Sequence, residues 1–254
     1  MKLKDIGMIA GDTSRSRAYL QALARNALLP AWVLVLENAS DSPLPGQIDK
    51  SRPSREVDIT LETDKCWSEA HFDSSQPIKV LLDELGISYE ISTSKDINDP
   101  FIIETIRQRT ESTFIYSGFG GVLLRNEVLS IGKQFLHVHG GYLPDYKGST
   151  TNYYSLILEN SLGASAIFMS KEIDCGPVLL RKKFPPPANR QAIDHIYDSG
   201  ARAKILVETL QNYLKCGGWD FELPANTGGE TYYIIHPVLK HIAIISKNLG
   251  NQCE

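Results

Sequence analysis

The chain reads as an α/β protein: an open, mostly parallel twisted sheet with helices on both faces, then a small C-terminal extension of helix and strand. Three observations carry that reading. Short apolar runs recur at Ile6–Ala10, Ala31–Leu36, Tyr89–Ser92, Thr113–Ser117 and Ile131–His137. Stretches with helical periodicity alternate with them. The first strand, helix and strand fit within about thirty residues, the length of a βαβ unit, and such a crossover joins parallel strands.

The elements follow in order. After Ile6–Ala10, the turn residues Gly11, Asp12, Thr13 and Ser14 suit a helix N-cap, and Ser14–Leu28 places Tyr19, Leu20, Leu23 and Ala24 on one helical face. Asn38–Gln76 is rich in Ser, Asp, Pro and charge and reads as a long surface excursion, helical near Lys65–Phe72. Helices are expected at Pro77–Leu85 and Asp96–Gln108, and a short one at Leu124–Leu129. Thr150–Glu159 reads as a helix, and Ala164–Ser170 with Val178–Lys183 as an antiparallel pair flanking a loop at Asp174. Gln191–Lys215 reads as one long amphipathic helix, and a polar tail then holds the apolar segment Tyr232–Ile245. Residues 1–185 are expected to form the main domain and 186–254 an extension packed on it.

Composition narrows the class. With 42% hydrophobic and 22% charged residues, the 254-residue chain is an ordinary globular one. A net charge of −4 argues against gripping nucleic acid by bulk charge. Cys66, Cys175, Cys216 and Cys253 are scattered without CxxC spacing, which points to reduced thiols and to no metal site. No apolar run approaches the roughly 18 residues of a membrane span, and the opening MKLKDIGMIAGD turns polar too soon for a signal peptide. The expectation is a cytoplasmic protein.

The richest segment is Phe135–Leu180. It sets His137 and His139 at the end of an apolar run, then a turn with Gly140, Gly141, Pro144 and Gly148, a helix, and Asp174 before Gly176. Two histidines and a carboxylate on loops at strand ends are material for acid–base chemistry. Gly11-Asp12-Thr13 lacks the glycines of a dinucleotide fingerprint. Cys175 has no histidine at a spacing that marks a nucleophile, and Arg15 reads as a solvated helix end.

The segment His137-Val138-His139-Gly140-Gly141-Tyr142-Leu143-Pro144, then Gly148, then Asp174-Cys175-Gly176, resembles the folate-dependent formyltransferase family. The family run is Asn-x-His-Pro-Ser-Leu-Leu-Pro, a glycine, and Asp-x-Gly. Ser117-Gly118-Phe119 with Val122-Leu123 resembles the family loop whose backbone holds the pterin. The order of elements matches over roughly residues 1–185. Two positions depart: His137 stands where the family has Asn, and Gly140-Gly141 where it has Pro-Ser.

The resemblance implies a Rossmann-type fold and transfer of a formyl group from 10-formyltetrahydrofolate to an amine, without a metal. It implies His139 as an oxyanion donor, Asp174 as its charged partner and proton relay, and His137 as a second donor in place of Asn. Each has a plain alternative, a braced turn or a hydrogen-bonded core residue. Gly118, Phe119, Val122, Leu123, Lys171 and Ile173 are implied to hold the donor. Gly140, Gly141, Tyr142, Tyr146, Tyr153 and Tyr154 are candidates for the acceptor, the glycines by leaving room and the rings by stacking on a sugar or base. An amino sugar, free or nucleotide-linked and destined for surface glycan, fits best by elimination. Glycinamide ribonucleotide, methionyl-tRNA, a hydrolase using water, and a non-catalytic folate- or sugar-binding relative stay open. The partner expected is thus a small-molecule amine, with no nucleic acid and no membrane. The Tyr232–Ile245 segment could cover the sheet or pair two copies as a homodimer.

Overall fold

The computed structural model describes residues 2–37, 65–219 and 226–246. The chain divides into two compact units, Met1–Asp58 with Phe72–His137, and Ile59–His71 with Val138–Glu254. The expected excursion from Asn38 falls mostly on residues 38–64, outside the described residues, as does Cys253.

In chain order, the first unit opens with β1 (Lys2–Leu3) and β2 (Ile6–Gly11), then α1 (Ser14–Arg25), β3 (Leu29–Pro30) and β4 (Trp32–Leu36). Next comes α2 (Lys65–Glu69), which belongs to the second unit, and then α3 (Ile78–Glu84), β5 (Ser88–Ile91), α4 (Pro100–Gln108) and β6 (Thr113–Ser117). The unit closes with α5 (Asn126–Leu129) and β7 (Gln134–His139), whose last two residues enter the second unit.

Strands β7, β6, β2, β4 and β5 are neighbours in that order, all parallel where their pairing is defined: Ile115 lies opposite Leu136, Met8 opposite Ile115, and Val33 opposite Tyr89. Every residue of β2, β4 and β6 is buried, which is why these runs are continuously apolar instead of alternating. Gly7 lacks a side chain because a Cβ there would meet the Phe114 ring at 2.6 Å. Thr13 caps α1, its hydroxyl accepting from the Ser16 amide, and α1 packs on α3.

The second unit holds β8 (Tyr146–Gly148), α6 (Thr151–Glu159) and the antiparallel pair β9 (Leu162–Phe168) and β10 (Val178–Phe184). It continues with α7 (Asp198–Cys216), β11 (Glu230–Tyr232) and α8 (Pro237–Ile245). Trp67 of α2 packs against Phe184 and Tyr197, at ring-centroid distances of 5.7 and 5.0 Å.

One expected helix is broken. Gln191–Lys215 divides into a tight 3-10 turn at Arg190–Ala192, a wider π-type turn at Ile193–Tyr197, and α7. Ile193, Ile196 and Tyr197 are all buried in the wide turn. The Tyr232–Ile245 segment supplies both β11, parallel to β8, and α8, which packs on α6.

No helix among the described residues is long and apolar enough to cross a membrane.

Candidate active site

The site of the second unit is built around His139, the last residue of β7. The strand runs two residues past its expected end at His137, and Val138 is fully buried. The His139 ring is nearly buried and engaged at both nitrogens. Nε2 lies 2.7 Å from the Tyr146 carbonyl oxygen, and a carbonyl only accepts, so Nε2 carries a proton. Nδ1 faces Asp174 Oδ1 at 3.4 Å. The other carboxylate oxygen, Asp174 Oδ2, accepts from the Gly148 amide at 2.8 Å.

Asp174 sits in the turn between β9 and β10. The Cys175 amide donates to the Glu172 carbonyl at 3.3 Å, and Asp174 itself takes a left-handed conformation, φ 55°. Asp tolerates that region better than most residues. Gly176 is obligatory here, since a Cβ would fall on the Phe168 carbonyl oxygen.

Burial is the main influence on His139 and holds its pKa below the ordinary value. Asp174 opposes this, Arg202 reinforces it, and the Tyr146 carbonyl and Asp198 oppose it more weakly. At neutral pH the ring is therefore neutral with its proton on Nε2, and Nδ1 presents a lone pair. A proton arriving between Nδ1 and Asp174 is stabilised by both, which makes the pair a place to hold a proton in transit.

Helix α7 holds the backbone behind His139. Arg202 donates to the Val138 carbonyl at 2.9 Å and to Asp198 at 2.8 Å. Asp198 also accepts from Asn152 Nδ2 at 2.8 Å, and Asn152 Oδ1 accepts from the Gly163 amide at 2.7 Å. Thr151 donates its hydroxyl to the Gly140 carbonyl. Ser165 donates to the Gly141 carbonyl at 2.7 Å and accepts from the Leu143 amide at 3.0 Å.

No family model matches the chain. In sequence it is similar to the methionyl-tRNA formyltransferase of Desulforamulus reducens, 27% identical over 157 residues, which cover 61% of this chain and 49% of that protein. The chain spans about half the length of the curated relatives it matches. In fold it is similar to a sugar N-formyltransferase from a Shewanella species, with TM-score 0.56, 13% identity and coverage of 94% of this chain and 86% of that one. A phosphoribosylglycinamide formyltransferase from Streptococcus pneumoniae gives 0.54, 14%, 84% and 99%. In both sequence and fold the chain is similar to formyltransferases.

Set beside that relationship, the candidate residues divide. His139 and Asp174 meet. His137 lies on the same strand two positions earlier, within the first unit, where its Nδ1 lies 3.3 Å from the Tyr116 carbonyl oxygen. Nδ1 therefore carries the proton, and His137 gains a second donor only as an imidazolium.

Gly140 and Gly141 are buried. Instead of leaving room for a ligand, their faces are filled: a Cβ on Gly140 would strike Arg202 and Asp198, and one on Gly141 would lie 2.7 Å from His139 Nε2. Tyr146 and Tyr153 are buried too, Tyr146 stacked on Tyr232 at 5.4 Å and Tyr153 under Lys240. Tyr142, flanked by Arg181 and Lys183, and Tyr154, against Tyr232, keep partly exposed rings.

In the first unit, Arg15 braces the expected pterin loop and is no solvated helix end. Its Nε donates to Ser117 Oγ at 3.2 Å and a terminal nitrogen donates to the Gly118 carbonyl. Phe119 covers Gly11, Val122 is half-exposed and Leu123 is exposed. In the second unit, Lys171 and Ile173 are exposed on the Asp174 turn.

Sequence reasoning missed Arg15, Gly148's contact with Asp174, Asn152, Ser165, Asp198, Arg202 and Asn226. Only Gly148 carried a local signal, its place in the motif. Among the described residues no group of three or more His, Cys, Asp or Glu is placed to hold a metal.

Proposed function

We propose that this chain transfers a formyl group from 10-formyltetrahydrofolate to the amine of an amino sugar, free or nucleotide-linked. The observation that carries the reading is the buried His139–Asp174 pair at 3.4 Å, with the carboxylate anchored on the Gly148 amide. Formyl transfer to an amine requires a proton to leave the incoming nitrogen and another to reach the departing one, and this pair has the chemistry to take up and return it. The donor supplies the activated formyl carbon. The chain's own part is to exclude water around His139, to hold the Asp174 carboxyl group beside it, and to move the proton at Nδ1.

In this reading residues 1–185 carry the catalytic machinery. Beside Asp174 in the second unit, Lys171 and Ile173 are assigned to the donor, and Tyr142 and Tyr154 to the acceptor. A half-exposed aromatic face beside a cationic rim suits a sugar, especially one carrying a nucleotide. The fold likeness to a sugar N-formyltransferase supports the same acceptor class. A second reading is methionyl-tRNA as acceptor, favoured by the names of the curated relatives. The net charge of −4 weighs against it.

The test is turnover of 10-formyltetrahydrofolate by the parent, His139→Ala and Asp174→Ala. Amino sugars, nucleotide-linked amino sugars, glycinamide ribonucleotide and charged initiator tRNA serve as separate acceptors. The expected result is tetrahydrofolate release only with an amino sugar, reduced about 10²-fold or more in each variant. Release with tRNA alone selects the second reading. Release without any amine identifies a hydrolase and removes both.

A further inference from the structure

We propose that Asn226 is a positioning residue, whose side-chain amide clamps the turn carrying Asp174 and so sets the carboxylate against His139. The inference rests on the reading of His139 and Asp174 as the acid–base pair.

The geometry is specific. Asn226 Nδ2 donates to the Asp174 carbonyl at 2.8 Å and to the Gly176 carbonyl at 2.8 Å, so both protons of one amide nitrogen hold the two carbonyls that bracket Cys175. Asn offers two such donors on one short, uncharged side chain. Asp174 occupies a left-handed conformation, unfavourable for a residue with a Cβ, and persists where its surroundings over-determine it. Here they do so from two sides. The Gly148 amide holds the carboxylate, and Asn226 holds the backbone.

Both sides belong to one piece of structure. From Asn226 the chain runs along the segment that follows the active-site turn. Lys147 Nζ donates to the Gly228 carbonyl at 2.7 Å, β11 pairs with β8 from Glu230 opposite Tyr146 to Tyr232 opposite Gly148, and the Ser149 amide donates to the Tyr232 carbonyl at 2.8 Å. The strap thus fixes the strand that carries Gly148 and, through Asn226, the turn that carries Asp174. The Asn226 Oδ1 atom is buried without a hydrogen-bond partner among the described residues. Burying an unpaired acceptor is unfavourable, and the side chain's contribution therefore lies at Nδ2.

The clamp acts on His139 through Asp174 alone. The charged and polar groups facing His139 are Asp174 from the β9–β10 turn, Asp198 and Arg202 from α7, and the Tyr146 carbonyl from β8. Asn226 contacts only the first of these. Loosening the turn should withdraw the one nearby carboxylate that favours the imidazolium most, and His139 should titrate lower.

The experiment follows the His139 imidazole by NMR in full-length protein labelled at histidine, in the parent, Asn226→Ala, Asp174→Asn and the double variant. Asn226→Ala and Asp174→Asn are each expected to shift the His139 titration to lower pH, and the double variant no further than Asp174→Asn. In turnover, Asn226→Ala is expected to lower kcat about 10-fold or more while KM for the donor stays within about twofold. Asn226→Ser, which keeps one donor, replaces the alanine variant if that one does not fold. A folded variant whose His139 titrates as in the parent, or one that shifts equally in the Asp174→Asn background, overturns the clamp. If the parent shows no turnover with any acceptor, the formyl-transfer reading fails and the titration cycle still decides the clamp.

Discussion

Replacing Gly148 with Ala should test the strap and the anchor of Asp174 together. Gly148 has φ 96°, and a Cβ there would fall on the Tyr232 carbonyl oxygen, well inside van der Waals contact. The backbone conformation alone costs an L-residue roughly 1–2 kcal/mol. Relieving the clash means moving β11 off β8, and the bond from the Ser149 amide to the Tyr232 carbonyl goes first. Each backbone bond lost adds about 0.5–1.5 kcal/mol. With one or two bonds broken the expected destabilisation is about 2–4 kcal/mol, or roughly 4–16 °C in melting temperature for a chain of this size.

Gly132→Ala is the matched control. Gly132 has φ 79° and nothing within 4 Å of a Cβ, so it reports backbone strain without the clash. Urea unfolding of both variants at pH 7.5 gives the comparison. If Gly148→Ala costs no more than Gly132→Ala, β11 does not lie against β8 as described, and the argument for a strap that positions Asp174 fails with it.

Two further outcomes follow from the same kind of reasoning. Because burial lowers the His139 pKa in the folded state, the unfolded chain takes up a proton near 6.5 while the folded one resists. Stability from this group is therefore complete above pH 6.5 and is lost as pH falls toward the depressed folded value. Urea midpoints between pH 7.5 and 5 should drop faster for the parent than for His139→Gln, by at most about 1.4 kcal/mol per pH unit, and parallel profiles would count against the buried neutral ring. In the first unit, Gly118→Ala should cost about 1–3 kcal/mol, since its Cβ would lie 2.5 Å from the Tyr116 hydroxyl, whereas Gly120→Ala, with nothing within 4 Å, should change stability by less than about 0.5 kcal/mol. Equal costs in thermal melts would show that the Tyr116 side chain does not fill that space.

Much of this molecule was legible in its sequence. The parallel strands β2, β4 and β6 are buried on both faces, so each appears as an unbroken apolar run between polar turns. The antiparallel pair around Asp174 is a local feature, two runs joined by a short loop, and was readable for that reason. The broken helix before α7 was not. Its periodicity continues through Ile193 and Ile196, and the wide turn that buries them with Tyr197 leaves no mark in spacing.

The candidate site shows the same division. His139 and Asp174 stand out because one closes a readable strand and the other sits in the turn between two readable strands. Tyr146 and Tyr153 looked like ligand-facing rings because a sequence does not say which side of a short strand or helix meets the interior, and the contacts with Tyr232 and Lys240 decide it. Gly140 and Gly141 looked like open backbone, while α7, about sixty residues later, fills the space beside Gly140.

The amino-acid sequence by itself determined the main buried strands, the two groups at the centre of the candidate site, His139 and Asp174, and the turns beside them. Each of those is written in local periodicity, turn chemistry or a compact motif. Tertiary structure alone decided which nitrogen of His139 carries its proton, that the Gly148 amide holds Asp174, and that Asn226 grips the same turn from behind. Those are contacts between a side chain and a backbone group of another element, and a backbone group looks the same whatever residue bears it.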